Sequence, residues 1–155
     1  MKKFEQAGLD LSGIDNSLFL IGILSAFDNR YQATADKFFK EISWKQFFAI
    51  ICINMCKTPP SIKELAELMG SSHQNVKQIL LKLEKKGYVE FKPDEKDKRK
   101  QRIAITEKTN VFCEEHEEGS NQVIQTLFQG IAPAELQTTI HTIMKMDENL
   151  RKVKV

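Results

Sequence analysis

The spacing of apolar positions divides the chain into four helical stretches, one alternating stretch and two more helices. From Ile14 to about Phe39, Leu20, Leu24, Phe27, Tyr31 and Phe38 recur on one stripe, while Ile14, Leu18 and Ile21 extend a second. A helix apolar on two sides needs more than one packing partner. In a chain this short, a second subunit is a natural one. Ser43-Trp-Lys-Gln46 has capping-box spacing, and the helix it opens carries Trp44, Phe47, Phe48, Ile51 and Met55 at intervals that predict a core face. Pro59-Pro60 ends that helix. Ser61-Ile-Lys-Glu64 repeats the box and opens a short helix with Ile62, Leu65, Ala66 and Met69 on one stripe, stopped by Gly70. Ser72 is a good N-cap for the next helix, where Val76, Ile79, Leu80 and Leu83 form another stripe before Gly87.

The period then changes. Val89 and Phe91 alternate with Glu90 and Lys92, and Ile103 and Ile105 alternate with Arg102 and Ala104. Period two on both sides of a polar tip predicts a β-hairpin. Beyond Thr106 the pattern is helical, broken near Gly130-Ile-Ala-Pro133, where Pro133 suits a first helical position. The expected fold is mainly α with a small antiparallel β wing. Its expected parts are an N-terminal helical region (1–40), a core (41–106) and C-terminal helices (107–155).

Two short amphipathic helices joined around Gly70, with small Ala66 at their crossing, describe a helix-turn-helix. Ser71 stands at a turn position that is often apolar in such units, which leaves the turn looser or packed by a neighbour. Outward on the second helix lie His73, Gln74, Asn75, Lys77, Gln78 and Lys82. Amides read base edges in a major groove, and lysines neutralise phosphates.

Charge sharpens this reading. Net charge is only +2, yet from Ser71 to Ile105 ten Lys/Arg face five Asp/Glu, a local +5 that leaves the remainder at −3. A basic region on a slightly acidic body is the footprint of a polyanion binder. Seven consecutive charged residues, Asp94 to Lys100, occupy the hairpin tip, with Asp94 and Asp97 preceding Lys98, Arg99 and Lys100. A carboxylate beside an arginine holds its guanidinium in one geometry, and a pre-aimed arginine suits a narrow, electronegative minor groove. A helix-turn-helix followed by such a hairpin is a winged helix.

The stretch Leu65-Ala-Glu-Leu-Met-Gly-Ser-Ser-His-Gln-Asn-Val-Lys-Gln through Leu83-Glu-Lys-Lys-Gly-Tyr-Val89 resembles the DNA-binding core of the MarR family of transcription regulators. The wing Asp94-Glu-Lys-Asp97-Lys-Arg99, running into Ile103-Ala-Ile-Thr106, is similar to that family's Asp-x-x-Asp-x-Arg wing. The resemblance extends over nearly the whole chain. It implies a homodimer on a pseudo-palindromic double-stranded DNA operator, dimerised through its first and last helices. It further implies major-groove contacts from a recognition helix at 72–86, beginning at Ser72, and minor-groove contact by a wing at 92–102, with Asp97 anchoring Arg99. Half-sites ~34 Å apart follow from such a dimer. Most relatives are repressors released by a small molecule or by oxidation. A small-molecule pocket lined by Phe27, Tyr31, Trp44 and Phe48 is expected by the same resemblance, though aromatics at helical spacing are more often core.

Other chemistry finds little support. Apolar residues at 41% and charged residues at 28% are an ordinary globular balance. The longest apolar run, Phe47 to Ile53, is far below the ~18 residues of a membrane span, and Met1 to Gly13 lacks a signal-peptide pattern, so a cytoplasmic protein is expected. Cys52, Cys56 and Cys113 read as reduced thiols; the first two lie one turn apart on an apolar helix, where packing outweighs redox sensing. Cys113 and His116 are one turn apart, but His73 and His141 are scattered, so no metal or cofactor is expected. No P-loop, dinucleotide fingerprint, nucleophile elbow or HExxH is present, which argues against an enzyme. The alternative function is a non-catalytic winged-helix scaffold for protein interaction or nonspecific nucleic-acid binding.

Overall fold

Helix α1 (Asn16–Phe39) starts where Asp15 caps it, its carboxylate accepting from Ser17 N at 2.8 Å. The computed structural model describes residues 13–95 and 97–153; Lys96, within the charged run, and the first twelve residues lie outside them. Helix α2 (Trp44–Met55) follows Ser43, and α3 (Ile62–Leu68) follows Ser61. Both capping boxes form in full: Gln46 N donates to Ser43 Oγ at 3.3 Å and Ser43 N donates back to Gln46 Oε1 at 3.0 Å. Helix α4 (His73–Lys85) starts from Ser72, whose Oγ accepts from Asn75 N at 3.2 Å. Strands β1 (Val89–Pro93) and β2 (Gln101–Ile105) pair antiparallel, with Val89 opposite Ile105 and Pro93 opposite Gln101. Helices α5 (Glu107–Leu127) and α6 (Pro133–Leu150) complete the described chain. The result is mainly helical with a two-stranded wing.

The chain falls into two compact units that part between Phe112 and Cys113. In the first, Val76, Ile79, Leu80 and Leu83 of α4 are all buried, as their spacing predicts. They meet Leu65 of α3, Ala49 and Ile50 of α2, and Ile103 of β2 in one core. Beside it, the Phe112 ring packs edge-on to Tyr88 at 5.3 Å and against Phe39 at 5.9 Å. The β2 strand gains an outer partner too, since Ile103 N donates to Pro60 O at 2.9 Å.

Helix α2 departs from the expected face. Its buried residues are Gln46, Ala49, Ile50, Cys52 and Ile53, while Trp44, Phe47, Phe48 and Ile51 are half-buried and Met55 is 73% exposed. The sequence WKQFFAIICINM is apolar nearly all round. Spacing therefore cannot choose among its faces, and Ala49 and Ile50 are the two residues that become fully buried.

On α1 only Ala35 and Phe39 are buried; Leu18, Leu20, Ile21 and Phe27 stay exposed, as does Ile14 just ahead of the helix. In the second unit α6 buries nothing, leaving Ile140, Ile143, Met144 and Leu150 open to solvent. Among the described residues no helix is long and apolar enough to cross a membrane.

Candidate nucleic-acid interface

The α3–α4 turn sets the direction of the outward helix. Gly70 takes φ +58°, a left-handed conformation that costs a side-chain-bearing residue ~1–2 kcal/mol and glycine little. Ser71 is held on both sides: its N–H donates to Ala66 O at 3.0 Å, and its Oγ accepts from Asn75 Nδ2 at 2.8 Å. The turn is thus fastened by polar contacts in place of an apolar plug.

With its apolar stripe in the core, α4 turns every sequence-derived contact residue outward. Ser72, His73, Gln74, Asn75, Lys77, Gln78 and Lys82 are all exposed. Helical periodicity sorts them: Gln74 and Gln78 lie opposite the core stripe, His73 and Lys77 to one side, Asn75 and Lys82 to the other. Asn75 differs from the rest because one of its two amide N–H groups is already committed to the turn.

At the hairpin tip Asp94 and Asp97 are half-buried, while Glu95, Lys98, Arg99 and Lys100 are exposed. Asp94 N donates to Lys100 O at 2.9 Å and Lys100 N donates to Asp97 O at 2.8 Å. Asp94 Oδ1 accepts from Asp97 N at 2.9 Å. Asp97 Oδ1 in turn accepts from both the backbone N and the Nε of Arg99 at 3.2 Å, and Asp97 Oδ2 lies 3.7 Å from Lys100 Nζ. Yet the Arg99 side chain remains 93% exposed. Lys98, Arg99 and Lys100 therefore project from a tip whose backbone is fastened by two aspartates.

Sequence reasoning missed Arg102. From β2, its Nε donates to Asp94 Oδ2 at 2.5 Å, and its Nη1 donates to Glu64 Oε2 at 2.9 Å and Pro59 O at 3.4 Å. One guanidinium thus joins the base of the wing to the first turn of α3, where Glu64 already closes the capping box on Ser61. The Asp94 hydrogen bond holds the guanidinium pKa above its ordinary value. Glu64 is pulled below the usual carboxylate range, first by the Ser61 backbone N–H and then by the Ser61 hydroxyl. The Asp94–Arg102 half was readable as opposite charges flanking the tip; the Glu64 half joins residues 38 positions apart and carries no sequence signal.

A cavity of about 420 Å³ opens where α1, α2 and the α3–α4 turn meet, with Trp44, Phe48, Met69 and Gln32 among its walls. Of the four aromatics expected to line a pocket, Trp44 and Phe48 do so. Tyr31 stands behind, edge-on to Trp44 at 4.7 Å, and Phe27 stacks on Tyr31 at 6.1 Å. Cys52, Cys56 and Cys113 are free thiols, and burial raises the pKa of Cys52 and Cys113. Among the described residues no cluster of three or more His, Cys, Asp or Glu could hold a metal ion.

Known proteins share this architecture. A MarR-family regulator from Acinetobacter sp. ADP1 superposes with a TM-score of 0.79 at 17% identity, over 90% of this chain and 100% of that one. The S. aureus MepR–DNA complex gives 0.76 at 16% identity, over 88% of this chain and 99% of its own. A mutant E. coli MarR complexed with operator DNA gives 0.71 at 22% identity, over 89% of this chain and 99% of its own. At such identities the likeness is one of fold. The family model is independent of it and matches residues 42–100, the span from just before α2 to the wing tip. This chain carries a MarR-family domain over residues 42–100.

Proposed function

We propose that the chain is a homodimeric, sequence-specific regulator of transcription, a repressor whose hold on double-stranded DNA is released by a small ligand. The observation that carries this reading is the pairing of an exposed amide face on α4 with a wing whose basic tip is fastened from behind by Asp94 and Asp97. In the major groove, Ser72, His73, Gln74, Asn75 and Gln78 approach base edges, with Lys77 and Lys82 on phosphates. In the minor groove, Arg99 inserts, with Asp97 anchoring its guanidinium and Lys98 and Lys100 on the flanking backbone.

A second copy is the partner that suits the uncovered apolar rows of α1 and α6, because monomeric proteins rarely leave such rows in contact with water. The dimerising segments are then residues 1–40 and 107–155, with the winged helix at 41–106 between them. The cavity walled by Trp44, Phe48 and Met69 is a site for the releasing ligand, since it borders the turn that aims α4.

Selection of duplexes from a random pool at physiological salt tests the reading. The expected product is an inverted repeat with half-sites about one turn apart, bound ~10³-fold or more above scrambled DNA. Recovery of no motif by folded protein overturns sequence-specific regulation.

A further inference from the structure

Five lysines converge on a cavity of about 810 Å³ on the flank of α4 away from His73 and Lys77. Lys40 and Lys45 come from the α1–α2 junction, and Lys82, Lys85 and Lys86 from the end of α4. Two acids share the lining, and both are engaged elsewhere. Asp36 Oδ1 accepts from Trp44 N at 2.5 Å, and Glu41 Oε2 accepts from Tyr88 O–H at 2.6 Å. Lys86 Nζ donates to the Glu41 backbone carbonyl at 2.5 Å, which leaves its positive charge uncompensated. Among the described residues none of the five lysines forms an ion pair.

Like charges gathered in a concave surface repel one another, and the low-dielectric wall behind them concentrates their field. Five lysines against two carboxylates leave a local balance of +3 in a protein of net charge +2. A multiply charged oxyanion is the ligand that offsets this. We propose that the cavity is a phosphate-binding site, taking a phosphate-bearing anion between Lys40 and Lys45 on one side and Lys82 and Lys85 on the other. Its ligand is either a free polyphosphate-type molecule or a stretch of duplex backbone. Because Lys82 also belongs to the outward face of α4, a free ligand there competes with DNA and ties the α1–α2 junction to the recognition helix.

The first arm needs no DNA and stands whether or not the duplex selection succeeds. Sodium tripolyphosphate is titrated into the full chain at fixed ionic strength, read by calorimetry and by the fluorescence of Trp44, the single tryptophan. Saturable binding, weakened roughly tenfold in Lys40→Gln/Lys45→Gln and restored in Lys40→Arg/Lys45→Arg, supports a free ligand. The second arm measures duplex affinity against salt. If the phosphates are those of DNA, the logarithmic salt slope of Lys40→Gln/Lys45→Gln falls by ~0.9 per lysine. A wild-type response no greater than that to ionic-strength-matched sodium chloride, together with an unchanged salt slope, overturns the site.

Discussion

Arg102 Nε lies 2.5 Å from Asp94 Oδ2, closing the base of the wing, while the same guanidinium reaches Glu64 on α3. Asp94 keeps only 12% of its side chain exposed, so removing Arg102 strips a largely desolvated carboxylate of its counter-charge. Arg102→Ala is therefore expected to lower the denaturation midpoint and speed amide exchange in β1 and β2. Arg102→Lys, which keeps the charge but loses the fork, should restore only part of both. Unchanged exchange in the wing of Arg102→Ala would show that the contact holds nothing in place. A pH effect follows from Glu64, whose folded pKa is depressed. Its contribution is full above the unfolded carboxylate value, near 4.5, and fades as pH falls through the lower folded value. Glu64→Gln should flatten the loss of stability below about pH 4.5, measured by acid titration of the circular-dichroism signal.

Gly70 isolates the backbone term of the turn. No atom lies within 4 Å of where a Cβ would sit, so Gly70→Ala meets conformational strain at φ +58° and no clash. The expected loss is about 1–2 kcal/mol by urea denaturation. A neutral result would mean that the hydrogen bonds of Ser71 to Ala66 and Asn75 fix the turn without help from the glycine.

The two halves of the interface should fail differently. Gln74→Ala removes an amide from the face opposite the core and is expected to relax preference at one base per half-site, by about 1–3 kcal/mol of discrimination. Arg99→Ala should lose affinity mainly for operators with A·T-rich flanks, where the minor groove is narrow. Competition binding on a panel of duplexes separates the two patterns, and equal affinity of Arg99→Ala and wild type on every duplex would remove the wing from the groove.

Cys52 is buried, and its thiol pKa is raised by burial and then by the neighbouring Cys56; burial alone raises Cys113. A raised pKa means less thiolate at neutral pH, and the thiolate is the nucleophile. Iodoacetamide at pH 7.5 should therefore alkylate both more slowly than a free cysteine, with rates climbing only at higher pH. Modification of Cys52 at the free-thiol rate would reopen oxidant sensing.

The local patterns of this chain were legible because each obeys a short-range rule. Ser43 with Gln46 and Ser61 with Glu64 are three residues apart, so their capping boxes follow from helix geometry alone. Val76, Ile79, Leu80 and Leu83 declare one face because the rest of α4 is polar. On α2 spacing declares no such face, because apolar residues surround the helix, and Met55 stays 73% exposed.

The sequence by itself determined the order of elements, the outward polar face of α4 and the charged wing tip, since these depend on residues within a turn or two of each other. Only the tertiary structure decided that Arg102 joins Asp94 to Glu64, that Tyr88 and Lys86 meet Glu41, and that lysines 40, 45, 82, 85 and 86 share one cavity. Those contacts span up to 47 residues of chain, and the distance between such groups is set by how the helices pack. A one-dimensional pattern holds no record of that distance.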